Sequence, residues 1–226
     1  SHRSAFQKRL IDQPLMRNVV ADMILESEAA LNLSLRVARA VDNQDSNEDE
    51  RSFARISTAI SKYWVTKRAP YLVFEALECH GGPGYIEESI MPRLYREAPL
   101  NSIWEGSGNV MCLDVLRALQ RDKNALPALF KELDSARGSN SKFDASLLYL
   151  KRRMDSPKGV ETEARLITEK MACLIQASIF IKSGQEEKIS AFCNSRLGPT
   201  WSGAFGTLSE DCLLYTSDAA DETCRV

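Results

Sequence analysis

The 226-residue sequence has no apolar run long enough to cross a bilayer as a helix, and no signal-peptide pattern, so no membrane partner is expected. Its six cysteines (Cys79, Cys112, Cys173, Cys193, Cys212 and Cys224) include no C-x-x-C pair, and only two histidines accompany them. A zinc site is thereby excluded, and no metal is expected. Most of these cysteines sit among apolar neighbours at helical spacing, the pattern of reduced, buried thiols. A reducing compartment follows, the cytoplasm or the mitochondrial matrix. Neither a G-x-G-x-x-G fingerprint nor a P-loop is present. No strand alternation appears, and no internal repeat.

Charge of one sign is also lacking. With 29 basic and 31 acidic residues the net charge is −2, which does not suggest a nucleic-acid binder. The chain opens at Ser1 on residues that already read as structured (Arg3, Phe6, Leu10), so a preceding segment is expected. Residues 212–226 break the helical pattern before them. Reverse-translated, LLYTSDAADE is one reading frame of a transposon adapter used in sequencing-library preparation, so 212–226 are expected to be a non-native tail. Without that tail, which holds Asp218, Asp221 and Glu222 against Arg225, the net charge is zero.

What is present is helical periodicity and a mixed composition, 44% hydrophobic and 27% charged, ordinary for a globular protein. From Gln13 to Val41 the apolar series is Leu15, Met16, Val19, Val20, Met23, Ile24, Leu31, Leu35 and Ala38. A polar break at 43–49 precedes a second helix over 50–79, with Phe53, Ile56, Ala59, Ile60, Tyr63 and Trp64 inward. Pro70 should kink or restart it. HGGPGY, residues 80–85, ends it through Gly81 and Gly82. A short helix over 87–97, an irregular connector over 98–108 and a helix over 109–119 (Val110, Leu113, Leu116 and Ala118 repeating) follow. GSNSK, residues 138–142, reads as a linker to a second helical subdomain with helices over 143–154, 160–182 and 186–196, then a loop over 198–207. The fold class is all-α, a helical bundle over 1–137 with a helical extension over 138–211.

The chemistry concentrates in residues 78–114, ECHGGPGYIEESIMPRLYREAPLNSIWEGSGNVMCLD. Two glycine-rich turns each lead toward a helix, where backbone N–H groups suit a phosphate, although the spacing alone favours plain helix capping. Glu105 follows Ile103 and Trp104. An apolar environment closing around it would raise its pKa and make it a better base. From the residues alone, a solvent-exposed Glu opening a helix is the simpler reading. Arg93 and Arg96 with Glu87, Glu88 and Glu97 read as a salt-bridged face, His80 as a helix-terminal residue, and Tyr63 and Trp64 as core.

Residues 74–117 resemble the C-terminal signature of the acyl-CoA dehydrogenases. PRLYREAPLNSIWEGSGNVMCLDVLR, residues 92–117, is similar to the adaptive-response (AidB-type) branch in particular. The similarity begins at R-x-x-F (Arg3, Phe6), stays strong to about Leu119 and weakens through 120–211, where that branch carries its own helical extension. The resemblance implies a flavin-dependent oxidoreductase of fatty-acid metabolism that uses flavin adenine dinucleotide (FAD) and introduces a double bond into an acyl-CoA. It makes Glu105 the base that takes the α-proton. It puts Trp104 near the thioester and flavin, and Gly106, Ser107 and Asn109 in the stretch that contacts FAD. Gly81, Gly82 and Gly84 match the turn that approaches the adenosine diphosphate part of a flavin bound to a neighbouring subunit, with Glu78 beside them. Arg3 would pair with the pyrophosphate. A homo-oligomer, dimer or tetramer, is implied. The AidB-type branch also implies an alternative, a DNA-binding protective role in alkylation stress with little turnover. The local basic cluster for it is Lys151, Arg152, Arg153 and Lys158, which the residues alone read as a solvated helix face. Acyl-chain binding with little turnover is a third reading.

Overall fold

The computed structural model describes residues 3–156, 158–199 and 203–209; the 212–226 tail, with Cys212 and Cys224, lies outside them. Among the described residues the architecture is all-α apart from one small hairpin. Strands β1 (Ser4–Ala5) and β2 (Lys8–Arg9) pair antiparallel. Phe6 and Gln7 between them have φ of 52° and 66°, the left-handed pair that a tight two-residue hairpin turn requires. Two residues per strand are too few to leave an alternation in the sequence. The helices are α1 (Pro14–Asn43), α2 (Glu48–His80), α3 (Gly82–Tyr85), α4 (Met91–Glu97), α5 (Gly108–Arg121), α6 (Ala125–Asp134), α7 (Ser141–Met154), α8 (Ala164–Ser183) and α9 (Glu186–Phe192).

Helices α1 and α2 form the long antiparallel pair. Asn47 caps α2, its side-chain oxygen accepting from the N–H groups of Asp49 (3.0 Å) and Glu50 (3.2 Å), and three acids in the first turn complement the helix dipole. Phe53, Ile56, Ala59, Ile60, Tyr63 and Trp64 are all buried, as their spacing predicts. Pro70 does not restart the helix, which continues through it to His80. On α1 the buried stripe differs from the expected one. Ala21, Leu25, Ala29, Leu33 and Ala40 face the core, while Leu15, Leu31 and Leu35 are exposed. The small alanines sit on the inward face, where they let neighbouring helices approach. On α5 likewise Cys112, Val115 and Ala118 are buried, and Val110 and Leu113 lie on the outer face.

Two other boundaries move. The helix expected over 87–97 begins at Met91, because Pro92 favours the first helical turn; Glu87 instead pairs with Arg96 (2.6 Å). Arg93 and Glu97 form the i,i+4 pair expected of that face. Helix α6, with Ala125, Ala128, Leu129 and Leu133 buried, was not anticipated.

Helix α8 is apolar on nearly every side and packs against α1, α2, α5, α6, α7 and α9. The hydrophobic core is therefore continuous across residue 138, from Leu25 and Ile60 to Leu147, Ile175 and Phe192. The four described cysteines are free, three of them buried. Burial pushes the Cys112, Cys173 and Cys193 thiols up, so they are neutral packing groups.

Two ionic networks tie the helices. Arg36 of α1 forms a fork with Glu50 of α2 (2.8 and 3.0 Å) and reaches Glu132 of α6 (2.9 Å), which Lys182 of α8 also meets (2.6 Å). Burial opposes the charge on Glu132, but the bonds from Arg36 and Lys182 outweigh it and hold the carboxyl below its ordinary 4.5. The second network is fully buried. Arg196, in a π-helical turn (Cys193–Leu197) after α9, contacts Asp22 and Glu26 of α1, and Arg68 of α2 forks onto Glu26 (3.1 and 3.2 Å).

Two stability outcomes follow. Arg196→Met leaves two buried carboxylates under-compensated and should lose about 3–5 kcal/mol, whereas Arg93→Gln, on an exposed pair, should lose less than about 1 kcal/mol. Comparable losses in urea titrations would contradict the burial argument. Because the folded pKa of Glu132 is depressed, its contribution is full above pH ~4.5 and is lost as pH falls through the folded value. Glu132→Gln should therefore be about 1.5–3 kcal/mol less stable than wild type at pH 7. That gap should close in acid, and a gap constant down to pH 3 would rule the linkage out.

Candidate active site

Glu105 sits on a tight turn between α4 and α5. A 3-10 turn (Ala98–Ser102) leads in, and the N–H groups of Ile103 and Trp104 both donate to the Leu100 carbonyl (2.9 and 3.2 Å). Glu105 then takes φ 53°, a left-handed conformation uncommon for any residue but glycine, and Gly106 takes φ 108°. Ser107 starts α5 as its N-cap, through its carbonyl rather than its side chain, accepting from the Met111 N–H (2.9 Å). From α2 below, the Lys62 Nζ donates to the carbonyls of Trp104 (2.9 Å) and Gly106.

Glu105 itself is exposed, and so are Ile103 (63%) and Trp104 (56%). Among the described residues no apolar enclosure surrounds this carboxylate; the turn presents it outward, as the residues alone lead one to expect. The first turn of α5 packs tightly beneath. A Cβ on Gly108 would lie 3.4–3.5 Å from Tyr63, Lys67 and Arg165, and Asn109 accepts from the Arg165 Nε (2.8 Å). Burial, then Cys112, pushes the Tyr63 hydroxyl up to about 12, so the phenol beneath this turn keeps its proton at neutral pH.

A second group gathers at the far end of α2. The Arg3 guanidinium donates to the His80 carbonyl (3.1 Å) and lies against Gly81, where a Cβ would come within 2.3 Å of it. Gly81 has φ 64° and ψ −145°, a conformation open to glycine. Gly82 has no left-handed angle, contrary to the expected paired-glycine stop; it opens α3, and nothing stands within 4 Å of where its Cβ would be. Gly84 is packed, its Cβ position 2.3 Å from the Leu77 carbonyl oxygen. Glu78 is exposed, and its carbonyl accepts from the Gly81 N–H (2.9 Å). His80 ends the helix with Nδ1 2.7 Å from the Ala76 carbonyl.

The structure thus joins Trp104, Glu105, Gly106, Ser107 and Asn109 in one place, and Arg3, Gly81, Gly82 and Gly84 in another. Roughly 28 Å of α2 separates the two, at 1.5 Å per residue between Lys62 and Gly81. Reading the sequence missed Lys62, Gly108 and Arg165. Lys62 carries one hint, a cation inside the otherwise inward-facing run Ile60–Trp64; the other two carry none. In the basic cluster, Lys151 pairs with Asp134 (2.6 and 2.8 Å), and Arg153 binds Glu163 (2.6 Å) and the Ser156 and Lys158 carbonyls.

Residues 1–120 match the family description "Acyl-CoA dehydrogenase, C-terminal domain". AidB of Escherichia coli (strain K12) is 39% identical over 195 residues, 86% of this chain and 36% of AidB. Caenorhabditis elegans ACDH-11 in complex with C11-CoA has the same fold at TM-score 0.75 and 23% identity, covering 97% of this chain and 38% of its own. An acyl-CoA dehydrogenase complexed with FAD from Bacillus anthracis matches at TM-score 0.63 and 16% identity, covering 99% and 47%. At those identities the two structures establish likeness of fold. The chain spans little more than a third of AidB.

The turn geometry has a measurable consequence. Glu105→Gly relieves about 1–2 kcal/mol of left-handed strain against about 0.5–1 kcal/mol of added chain entropy, so stability should hold or rise by up to ~1.5 kcal/mol. Gly84→Ala, with its Cβ driven into the Leu77 carbonyl, should lose more than ~2 kcal/mol. A Glu105→Gly variant clearly less stable than wild type in denaturant would mean that the carboxylate, not the backbone, governs the turn.

Proposed function

Because the chain belongs to the acyl-CoA dehydrogenase family, we propose that it works as the C-terminal part of a flavin-dependent oxidoreductase that dehydrogenates an acyl-CoA thioester between its α and β carbons. The observation that carries this reading is Glu105, held by its backbone on an outward turn with an apolar flank. Similarity to AidB over most of the chain, and a shared fold with a protein seen in complex with C11-CoA, support the substrate class.

The residues fit an FAD. At the α2 end a guanidinium lies over a glycine turn, and the open Gly82 lets backbone approach a ligand, a donor set suited to a pyrophosphate. At the other end Trp104, Gly106, Ser107 and Asn109 would flank the ring system. The flavin, when bound, accepts the hydride that leaves the β carbon. This chain's own part is the proton. Glu105 takes it from the α carbon, and its backbone N–H supports the oxygen of the resulting enolate, where negative charge develops. Ile103 and Trp104 supply apolar surface that excludes water once covered. The span between the two groups suits a flavin contacted by two subunits, hence a homodimer or homotetramer. The DNA-binding reading draws less support, since Lys151 and Arg153 spend their charge on neighbours.

In the complete polypeptide loaded with FAD, anaerobic addition of acyl-CoAs of graded chain length should bleach the flavin. Glu105→Gln should slow that by about 10²–10⁴-fold. Flavin that binds but is bleached by no acyl-CoA would refute the dehydrogenase reading and turn attention to DNA or lipid binding. The 226-residue chain alone is expected not to retain flavin, and a stoichiometric flavin spectrum on it would contradict that.

A further inference from the structure

We propose that Lys62 is a positioning residue for Glu105, acting through the two peptide groups that flank the Glu105–Gly106 pair. The proposal rests on the reading of Glu105 as the base. The Lys62 Nζ donates to the Trp104 carbonyl (2.9 Å) and to the Gly106 carbonyl, so the two bonds bracket Glu105 and the glycine after it. Among the described residues no carboxylate is paired with this ammonium. A lysine half-buried on the packed side of α2, without an acidic partner, is spending its charge on backbone.

The consequence follows from peptide geometry. No cis bond occurs among the described residues, so each carbonyl and the N–H of its peptide point in opposite directions. The Trp104 carbonyl shares its peptide with the Glu105 N–H, and the Gly106 carbonyl with the Ser107 N–H. Both carbonyls point down at α2, so both N–H groups leave the turn on the side away from it. Neither has a partner among the described residues. Lys62 thereby does two things. It holds Glu105 in a left-handed conformation that side chains other than glycine rarely adopt, using bonds to a charged donor, which are stronger than bonds between neutral groups. It also polarises the two peptides, which strengthens the outward N–H groups as donors to an enolate oxygen. Side-chain torsions remain the main freedom left to the carboxylate.

The test uses the complete FAD-loaded protein with Lys62→Met, which keeps the length of the side chain and removes the ammonium. Lys62→Arg serves as the conservative rescue and as the second variant should Met fold poorly. Two readouts are needed. Amide hydrogen exchange of peptides covering 103–108 should rise in Lys62→Met while those of α8 stay unchanged. The limiting rate of flavin bleaching by acyl-CoA should fall about 10–100-fold, as for a misplacement on the order of 1 Å, with the half-saturating concentration altered by less than about threefold. Lys62→Arg should recover part of both. Unchanged exchange in the turn overturns the clamp whether or not the protein turns over. Raised exchange with an undiminished bleaching rate overturns the positioning role, provided Glu105→Gln is impaired. If wild type reduces its flavin with no acyl-CoA, the base reading itself has failed and the positioning role falls with it, while the exchange result still judges the clamp.

Discussion

Four charges are buried where α1, α2 and the π-helical turn meet, and the placement of that turn and of residues 203–209 depends on them. Asp22, Glu26, Arg68 and Arg196 balance to zero, and the surrounding backbone adds to their bonding. The Gly206 N–H donates to Asp22 (2.9 Å) and Arg68 donates to the Gly203 carbonyl (3.1 Å). Arg68 also lies over the rings of Phe205 (4.8 Å) and Trp64 (5.8 Å). Burial works against the charge on Arg196, but Glu26 and Asp22 outweigh it and push its pKa up. Such a network contributes little beyond what a well-packed apolar cluster would. What it does is make one arrangement far better than its neighbours, because sliding the terminal segment by a residue strands a charge in the core. The segment so fixed covers α1 and α2, and α8 is held between them.

Helix α2 is the common reference for everything functional in this chain. Its buried face carries Tyr63 and Trp64 into the core, and the Trp64 indole donates to Gln176 of α8 (3.1 Å). One residue before Tyr63 it reaches the Glu105 turn, four residues after Trp64 it joins the buried network, and at its end it stops against Arg3. The rigidity of one packed helix therefore sets the distance between the candidate base and the glycine turn. A single cofactor touching both ends would have to reach across roughly 28 Å, whereas two copies sharing two sites need no such length.

The fold class and the course of most helices were legible because apolar spacing and local punctuation agree: the polar break at 43–49 separates α1 from α2, and Gly81 stops α2. The buried faces of α1 and α5 were less so. In both helices apolar residues occupy more than one side, and periodicity alone cannot say which side meets a partner. Leu31 and Leu35 fit a stripe as well as Leu25 and Leu33 do, and tertiary packing around the small Ala21 and Ala29 decided between them. Two acids, Asp22 and Glu26, also lie within the inward stripe of α1, where Arg68 and Arg196 neutralise them, pairings that local spacing does not reveal. Glu105 was found through a motif rather than through its physics, since nothing in the order Ile-Trp-Glu-Gly announces a left-handed backbone. Lys62 lies more than forty residues from the turn it holds, and such a contact exists only once the chain has folded.

The exposure of Glu105 completes the argument about division of labour. In the role proposed for it, a carboxylate in water would be far too weak a base for a thioester α-proton, so desolvation would have to come from whatever covers Ile103, Trp104, Val110 and Leu113. What this chain fixes in advance is direction: a strained backbone, two carbonyls tied below and two N–H groups aimed outward. Orientation set by backbone survives the arrival and departure of a covering surface, because it depends on no side-chain rotamer of the base. On the proposed reading, the enclosing surface could then be remade for different acyl chains without rebuilding the turn. A turn whose geometry came from the enclosing surface instead would have to re-form its catalytic alignment with each change of that surface.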